Sequence, residues 1–187
     1  NINDLGYFIG PILNAGGRLG KSSYATELLS TNNREIIIQR SSQLLKLNNK
    51  RKQVEYSILN NIDFNNVENT SKDIVIYYDP IINEGLIGII ASRLKDYFDK
   101  PSIVITNSNN VLKGTTRSIY NYNIGQAIKN SLDKNIIISG GGHSMAAGFS
   151  LKKENLSIFK DFIIKDFLKK NITSGHIFSY DAEVSSI

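Results

Sequence analysis

A chain of 187 residues with 41% hydrophobic residues is long and apolar enough to bury one core, which excludes a disordered tail. The 22 Lys and Arg residues outnumber the 17 Asp and Glu, and the resulting charge of +5 and pI near 9.3 favour a polyanionic partner. With no cysteine, a disulfide framework and a thiolate metal site are excluded, and a cytoplasmic setting is the simplest expectation.

The chain begins at Asn1, and its only methionine is Met145, so the expectation is a fragment of a longer protein. No basic-then-apolar leader opens it, and apolar runs such as Ile136-Ile137-Ile138 are too short to span a bilayer, so no membrane partner is expected. From Asn32 to about Ile62 the residues predict one long helix. Asn32 stands as a cap, Glu35 follows three residues on, and Leu44, Leu47, Val54 and Ile58 recur at helical spacing. Arg34, Arg40, Lys46, Lys50, Arg51 and Lys52 occupy the other faces. Asn48 and Arg51 interrupt the apolar stripe, so only part of this rod packs on a core.

The polar stretch from Asn65 to Asp73 places a domain boundary near Asn69. Strands are then predicted at 74–78, 102–106 and 111–117, near Ile136, and at 146–151, with a turn at Asn107–Asn110. Helices are predicted at about 85–98, 124–132 and 155–170. Strands alternating with helices of this length predict an α/β fold, a mixed sheet flanked by helices and preceded by the long connecting helix.

Three motifs carry candidate chemistry. In Ser139-Gly140-Gly141-Gly142-His143 the glycines permit positive φ and close approach, so that amides converge on a phosphate while His143 adds a donor. The same residues also suit a tight turn between strands. In Lys113-Gly114-Thr115-Thr116-Arg117-Ser118 a planar guanidinium flanked by hydroxyls suits bidentate phosphate recognition, and an ordinary exposed strand is the alternative. Asn14-Ala15-Gly16-Gly17-Arg18-Leu19-Gly20 reads either as a close-approach loop or as a helix cap and turn. Phosphodiester hydrolysis usually needs carboxylates and histidines clustered around metal ions, yet the only histidines are His143 and His176. Asp73, Asp79 and Glu84 read as turn and cap residues. No catalytic residue and no metal site are therefore expected within the chain.

The order of these motifs resembles the RecJ exonucleases of the DHH phosphoesterase superfamily over nearly the whole chain. Gly141-Gly142-His143-Ser144-Met145-Ala146-Ala147-Gly148 resembles the signature of the DHH-associated domain, Ile87–Leu94 another family block, and Leu47–Arg51 the middle of the connecting helix. The resemblance implies a 5′-to-3′ exonuclease of DNA repair and recombination, acting on single-stranded DNA with Mn2+ or Mg2+ held in a DHH domain almost wholly absent here. It further implies a remnant of that domain at 1–31, the connecting helix at 32–68, the associated domain at 69–173 and a lead-in to an OB-fold at 174–187. Thr115 and Arg117, with Ser118 beside them, would hold the 5′ phosphate. Arg18 would contact the strand, and Gly140, Gly141, Gly142 and His143 would face the scissile phosphate. A helicase or single-strand-binding protein is an implied partner. Two departures stand out: the family's usual Trp-His is replaced around Ile82-Asn83, and Thr116 adds a β-carbon beside Arg117. Alternatives are a smaller DHH phosphoesterase acting on short oligonucleotides or nucleotide phosphates, and a non-catalytic nucleic-acid-binding module like that attached to some alanyl-tRNA synthetases.

Overall fold

The computed structural model describes residues 1–64 and 73–170. The expected boundary near Asn69 and the lead-in at 174–187 lie outside them. The chain opens with a π-helical turn over Asp4–Ile9 that continues into helix α1 (Gly10–Arg18), with Pro11 in its first turn. Gly20, at φ 78°, ends it: Lys21 N–H reaches back to Gly16 O at 2.7 Å, so the helix-cap alternative for this motif is the one found. Helix α2 (Ser23–Ser30) leads to α3 (Arg34–Asn61), whose 28 residues span about 42 Å. The cap of α3 is Asn33 rather than the expected Asn32, because the Asn33 carboxamide oxygen accepts from the amides of Glu35 and Ile36.

Helices α1 and α2 both lie along α3. Leu44 is fully buried, and a β-carbon on Gly16 would stand 3.3 Å from its Cδ2. The interrupted stripe has a physical purpose. Buried Glu55 accepts from Arg51 of its own helix at 2.8 Å and from Arg93 of a later helix at 2.9 Å, while Arg51 also donates to buried Asn48. The polar residues that break the apolar pattern thus help join the long helix to the rest of the molecule, alongside Val54, Ile58 and Leu59, which pack on the apolar core beneath that later helix.

Beyond it lies a five-stranded sheet in the order β1-β2-β3-β5-β4, formed by β1 (Val75–Tyr78), β2 (Ser102–Ser108), β3 (Val111–Arg117), β4 (Ser139–His143) and β5 (Ala146–Leu151). The β1–β2 pair is parallel and the others are antiparallel, as a mixed sheet requires. Helix α4 (Ile87–Phe98) covers part of one face, with Ile90, Ala91 and Leu94 packed on Val75 and Val104. Helices α5 (Ile124–Asp133) and α6 (Leu156–Leu168) cover the other, burying Ile128, Phe159 and Ile163 against Ile103, Leu112 and Phe149. The expected α/β architecture is therefore the one observed.

One strand differs from expectation. The fourth strand does not lie at Ile136 but begins at Ser139 and contains the glycine run. Ile137 turns into the core instead, and a β-carbon on Gly140 would come within 2.8 Å of both Ile137 Cδ1 and Ile128 Cγ2. The apolar run supplies packing, and the glycines supply the strand that lies over it. Nor do these glycines need a left-handed backbone, since among the described glycines only Gly20 has positive φ.

Candidate functional site

Residues directly opposed in neighbouring strands share a face of the sheet. The registers align Lys113 with Ser150 and Ser139, Thr115 with Gly148 and Gly141, and Arg117 with Ala146 and His143. These three rows lie on the face that α4 only partly covers, and burial agrees. Lys113, Thr115 and Arg117 are half-buried and Ser139, Gly141 and His143 exposed, whereas Leu112, Gly114 and Thr116 between them are buried. The centre of the open face is nearly without side chains, and a β-carbon on Gly141 would meet nothing within 4 Å. A ligand is thus free to approach the backbone itself.

A cleft of about 680 Å³ runs over this floor, lined by Thr115 and Gly140 below and by Arg18, Asn83 and Gly85 opposite. Its far wall is fixed by backbone contact, since a β-carbon on Gly85 would lie 2.3 Å from Arg18 O and 2.8 Å from Arg18 Cα. Asn83 shapes this wall by accepting from Gly85 N–H at 2.8 Å. Helix α4 starts at the cleft without a side-chain cap, leaving the positive end of its dipole there.

The electrostatics are lopsided. Arg18 donates to Gly85 O at 3.2 Å and Arg117 to Thr116 O at 2.8 Å, but among the described residues neither meets a carboxylate. Burial holds the Arg117 guanidinium below the usual arginine range, and repulsion from Arg18 lowers it further. Arg18 is lowered first by burial and then by Arg51, with Glu55 opposing. Two half-buried cations, neither paired with a carboxylate among the described residues, define a place for an anion. Lys113 differs, because Glu84 takes its ammonium at 2.8 Å and also accepts from the Ser108 hydroxyl. Those hydrogen bonds from Lys113 and Ser108 hold the Glu84 carboxyl below its ordinary range.

Of the expected site residues, Arg18, Thr115 and Gly140 line the cleft, and Gly141 continues its floor in register with Thr115. Arg117 lies at its edge beside Gly88 of α4. Gly140, Gly141, Gly142 and His143 all border a second hollow of about 450 Å³ at the sheet edge, shared with Asn123, Gln126 and Lys129, and of these four only Gly140 also lines the cleft. His143 remains in the Arg117 row, two strands away and so about 10 Å off. Ser118 does not join the site: it is buried, and its hydroxyl donates to Tyr122 O at 2.6 Å. The added β-carbon of Thr116 faces the opposite side of the sheet from Arg117, its hydroxyl donating to Ala147 O and accepting from Ala147 N–H on the core side. Gly85, Gly88, Ser139 and Ser150 were missed as site residues. Strand alternation carried the signal for Ser150, Ser139 lies in the strand that the sequence placed near Ile136, and nothing local marked the two glycines.

Among the described residues no three His, Asp or Glu side chains gather where they could hold a metal ion. Asp79 accepts from Ile81 N–H, a turn role, and Glu84 is taken by Lys113. Nor is any described helix long and apolar enough to cross a membrane.

Residues 71–170 match the DHHA1 domain family. The chain is 33% identical to the single-stranded-DNA-specific exonuclease RecJ of Haemophilus influenzae, an alignment covering 98% of this chain and 34% of that protein. It is 30% identical to RecJ of Escherichia coli, over 95% of this chain and 33% of that one. It thus spans about a third of the length of these relatives. Among solved structures it is similar to RecJ from Thermus thermophilus in complex with Mn2+, with a TM-score of 0.78 and 25% identity over 89% of this chain and 24% of that one.

Proposed function

This chain belongs to the DHHA1 domain family, with RecJ-type exonucleases as its relatives, and from that membership we propose that it is the strand-gripping part of a single-stranded-DNA exonuclease. The observation that carries the reading is the pair of half-buried guanidinium groups, Arg117 and the Arg18 that repels it, at an open cleft where among the described residues neither meets a carboxylate and the lining Glu84 is held by Lys113. A phosphate placed there relieves that repulsion and receives charge-assisted hydrogen bonds of the strong class.

In this reading Arg117 and the Thr115 hydroxyl hold the 5′ phosphate, and Arg18 contacts the following backbone. Gly141 and Gly148 keep the floor low enough for sugar and phosphate to lie against peptide groups. His143 faces the strand further along, at the sheet edge. The chain positions the strand and excludes water from one side of it. Relatives of this kind have been solved with Mn2+ or Mg2+, but the carboxylates of the described residues do not fit such an ion. Phosphodiester cleavage accordingly belongs to a DHH domain of the whole protein, of which 1–31 is the end, 32–68 the connecting helix, 69–173 the associated domain and 174–187 the passage to a further domain. DNA repair and recombination, with a helicase or single-strand-binding protein as partner, are the setting that this assignment implies.

The test is Arg117→Ala in fluorescence anisotropy with 5′-phosphorylated and 5′-hydroxyl single strands. Binding of the phosphorylated strand is expected to weaken about tenfold or more, the size of a hydrogen bond to a charged group, with the hydroxyl strand little changed. Equal loss on both strands would reject a dedicated phosphate pocket.

A further inference from the structure

The segment between β3 and α5 carries an aromatic ring that the cleft does not use. Ser118 N–H donates to Met145 O, Ile124 N–H donates to Ser144 O, and Tyr122 is buried with its hydroxyl on Asp166 and its ring edge-on to Phe167. The backbone is therefore pinned to the β4–β5 hairpin and to α6 on both sides of Tyr120, yet the Tyr120 side chain is 79% exposed. Met145, at the hairpin tip, is 43% exposed.

Most of the described tyrosines have an evident partner. Tyr24 lies under Arg40, Tyr77 and Tyr78 donate to Asp79 and Asn107, Tyr97 packs on Phe64 and Phe98, and Tyr122 is tied down as above. Tyr120 has neither a ring partner nor a hydrogen bond among the described residues. Tyr7 and Tyr56 share that exposure but belong to the N-terminal helical part, whereas Tyr120 follows Arg117 by three residues. Its Cα is therefore at most about 11 Å from that of Arg117.

We propose that Tyr120 is a stacking platform for the base of the nucleotide whose phosphate sits at Arg117, with exposed Met145 on the hairpin tip to which the same segment is bonded. This rests on the reading of the cleft as a phosphate site and extends it to the base. Arg117 and Arg18 attract only the backbone of a strand, and every base offers a π-face to an exposed ring whose main chain is already pinned on both sides. With the main chain pinned, only the two side-chain rotations of a tyrosine remain to be ordered by such a contact. Recognition by stacking tolerates any base, as an enzyme that removes successive nucleotides requires.

The experiment measures binding of a 3′-fluorescein-labelled, 5′-phosphorylated oligothymidylate to the full chain, beside the same strand with its first two nucleotides abasic. Tyr120→Ala is expected to weaken the intact strand roughly tenfold, the loss of one base–aromatic stack, and to leave the abasic strand unchanged, while Tyr120→Phe binds both like the parent. Because the chain has no tryptophan, Tyr120→Trp introduces a single indole, whose emission the intact strand should quench and the abasic strand should not. An unchanged affinity in Tyr120→Ala, or equal loss on intact and abasic strands, overturns the platform. If Arg117→Ala still discriminates phosphorylated from hydroxyl strands in that case, the phosphate site stands without it. If the parent chain binds no strand in an Arg117-dependent way, both fall together.

Discussion

A β-carbon on Gly88 would stand 3.3 Å from Nη2 of Arg117 and 4.0 Å from Cγ2 of Thr115, so the first turn of α4 leaves just enough room for the guanidinium to lie along the sheet. Alanine is the better helix former by up to about 1 kcal/mol. Gly88→Ala is therefore expected to hold or raise the melting temperature while weakening binding of a 5′-phosphorylated strand several-fold, because Arg117 must shift. Parallel loss of stability and binding in thermal melts and anisotropy would mean that the glycine serves packing alone. Such positions lie near the limit of what a sequence shows. The run Gly140–Gly142 is conspicuous, but crowding accounts only for its two ends: a β-carbon on Gly142 would meet Ala147 Cα at 2.4 Å, a neighbour that only the folded register reveals, whereas one on Gly141 would meet nothing within 4 Å. Ser118 shows the opposite case, since two-residue alternation from Arg117 already assigns it to the core side, with Thr116 and Gly114.

Helix α3 was legible almost to the residue because its cap, its apolar spacing and its charged faces are all local properties of the chain. What its interruptions were for was not legible, because Arg93, which completes the Glu55 network, lies 38 residues away. Removing one member of a buried ion-pair network leaves the others unpaired. Glu55→Ala is expected to cost about 2–4 kcal/mol in urea unfolding, at the lower end because Arg93 is partly exposed. An unaltered midpoint would show that α3 is held by apolar packing only. The misplaced fourth strand has a similar origin, because Ile136-Ile137-Ile138 has the composition of a strand and only the competition with Gly140 for one space decides between them. The segment after β3 is also held through Tyr122, whose hydroxyl burial and the nearby Asp166 push well above the ordinary tyrosine range. Its neutral form is therefore favoured in the folded state. The stabilising contribution is complete below the unfolded tyrosine value near 10 and is lost as pH rises beyond it. Urea midpoints measured from pH 8 to 11 should fall more steeply for the parent than for Tyr122→Phe, and equal slopes would remove Tyr122 from the alkaline transition.

At the scale of the molecule the net charge of +5 says less than its placement. Glu84 pairs with Lys113 at one end of the open face and Glu55 lies between Arg51 and Arg93, so Arg18 and Arg117 carry the unbalanced charge at the cleft. Binding of a single strand should then lose affinity with salt as though two to three phosphates were neutralised, a log–log slope of about −1.4 to −2.1, with about 0.7 removed by Arg117→Ala. A slope unaffected by that substitution would place the strand elsewhere on the surface.

The junction of Arg18 with Gly85 has one more effect. Two main chains in contact have no rotamers to exchange, so the aperture between α1 and the sheet is set by peptide planes rather than by side chains that swing aside. An object too thick for the opening gains nothing from local rearrangement and must displace the whole first helix. On the proposed reading of the cleft, that rigid junction works as a fixed gauge for the thickness of a strand laid across it.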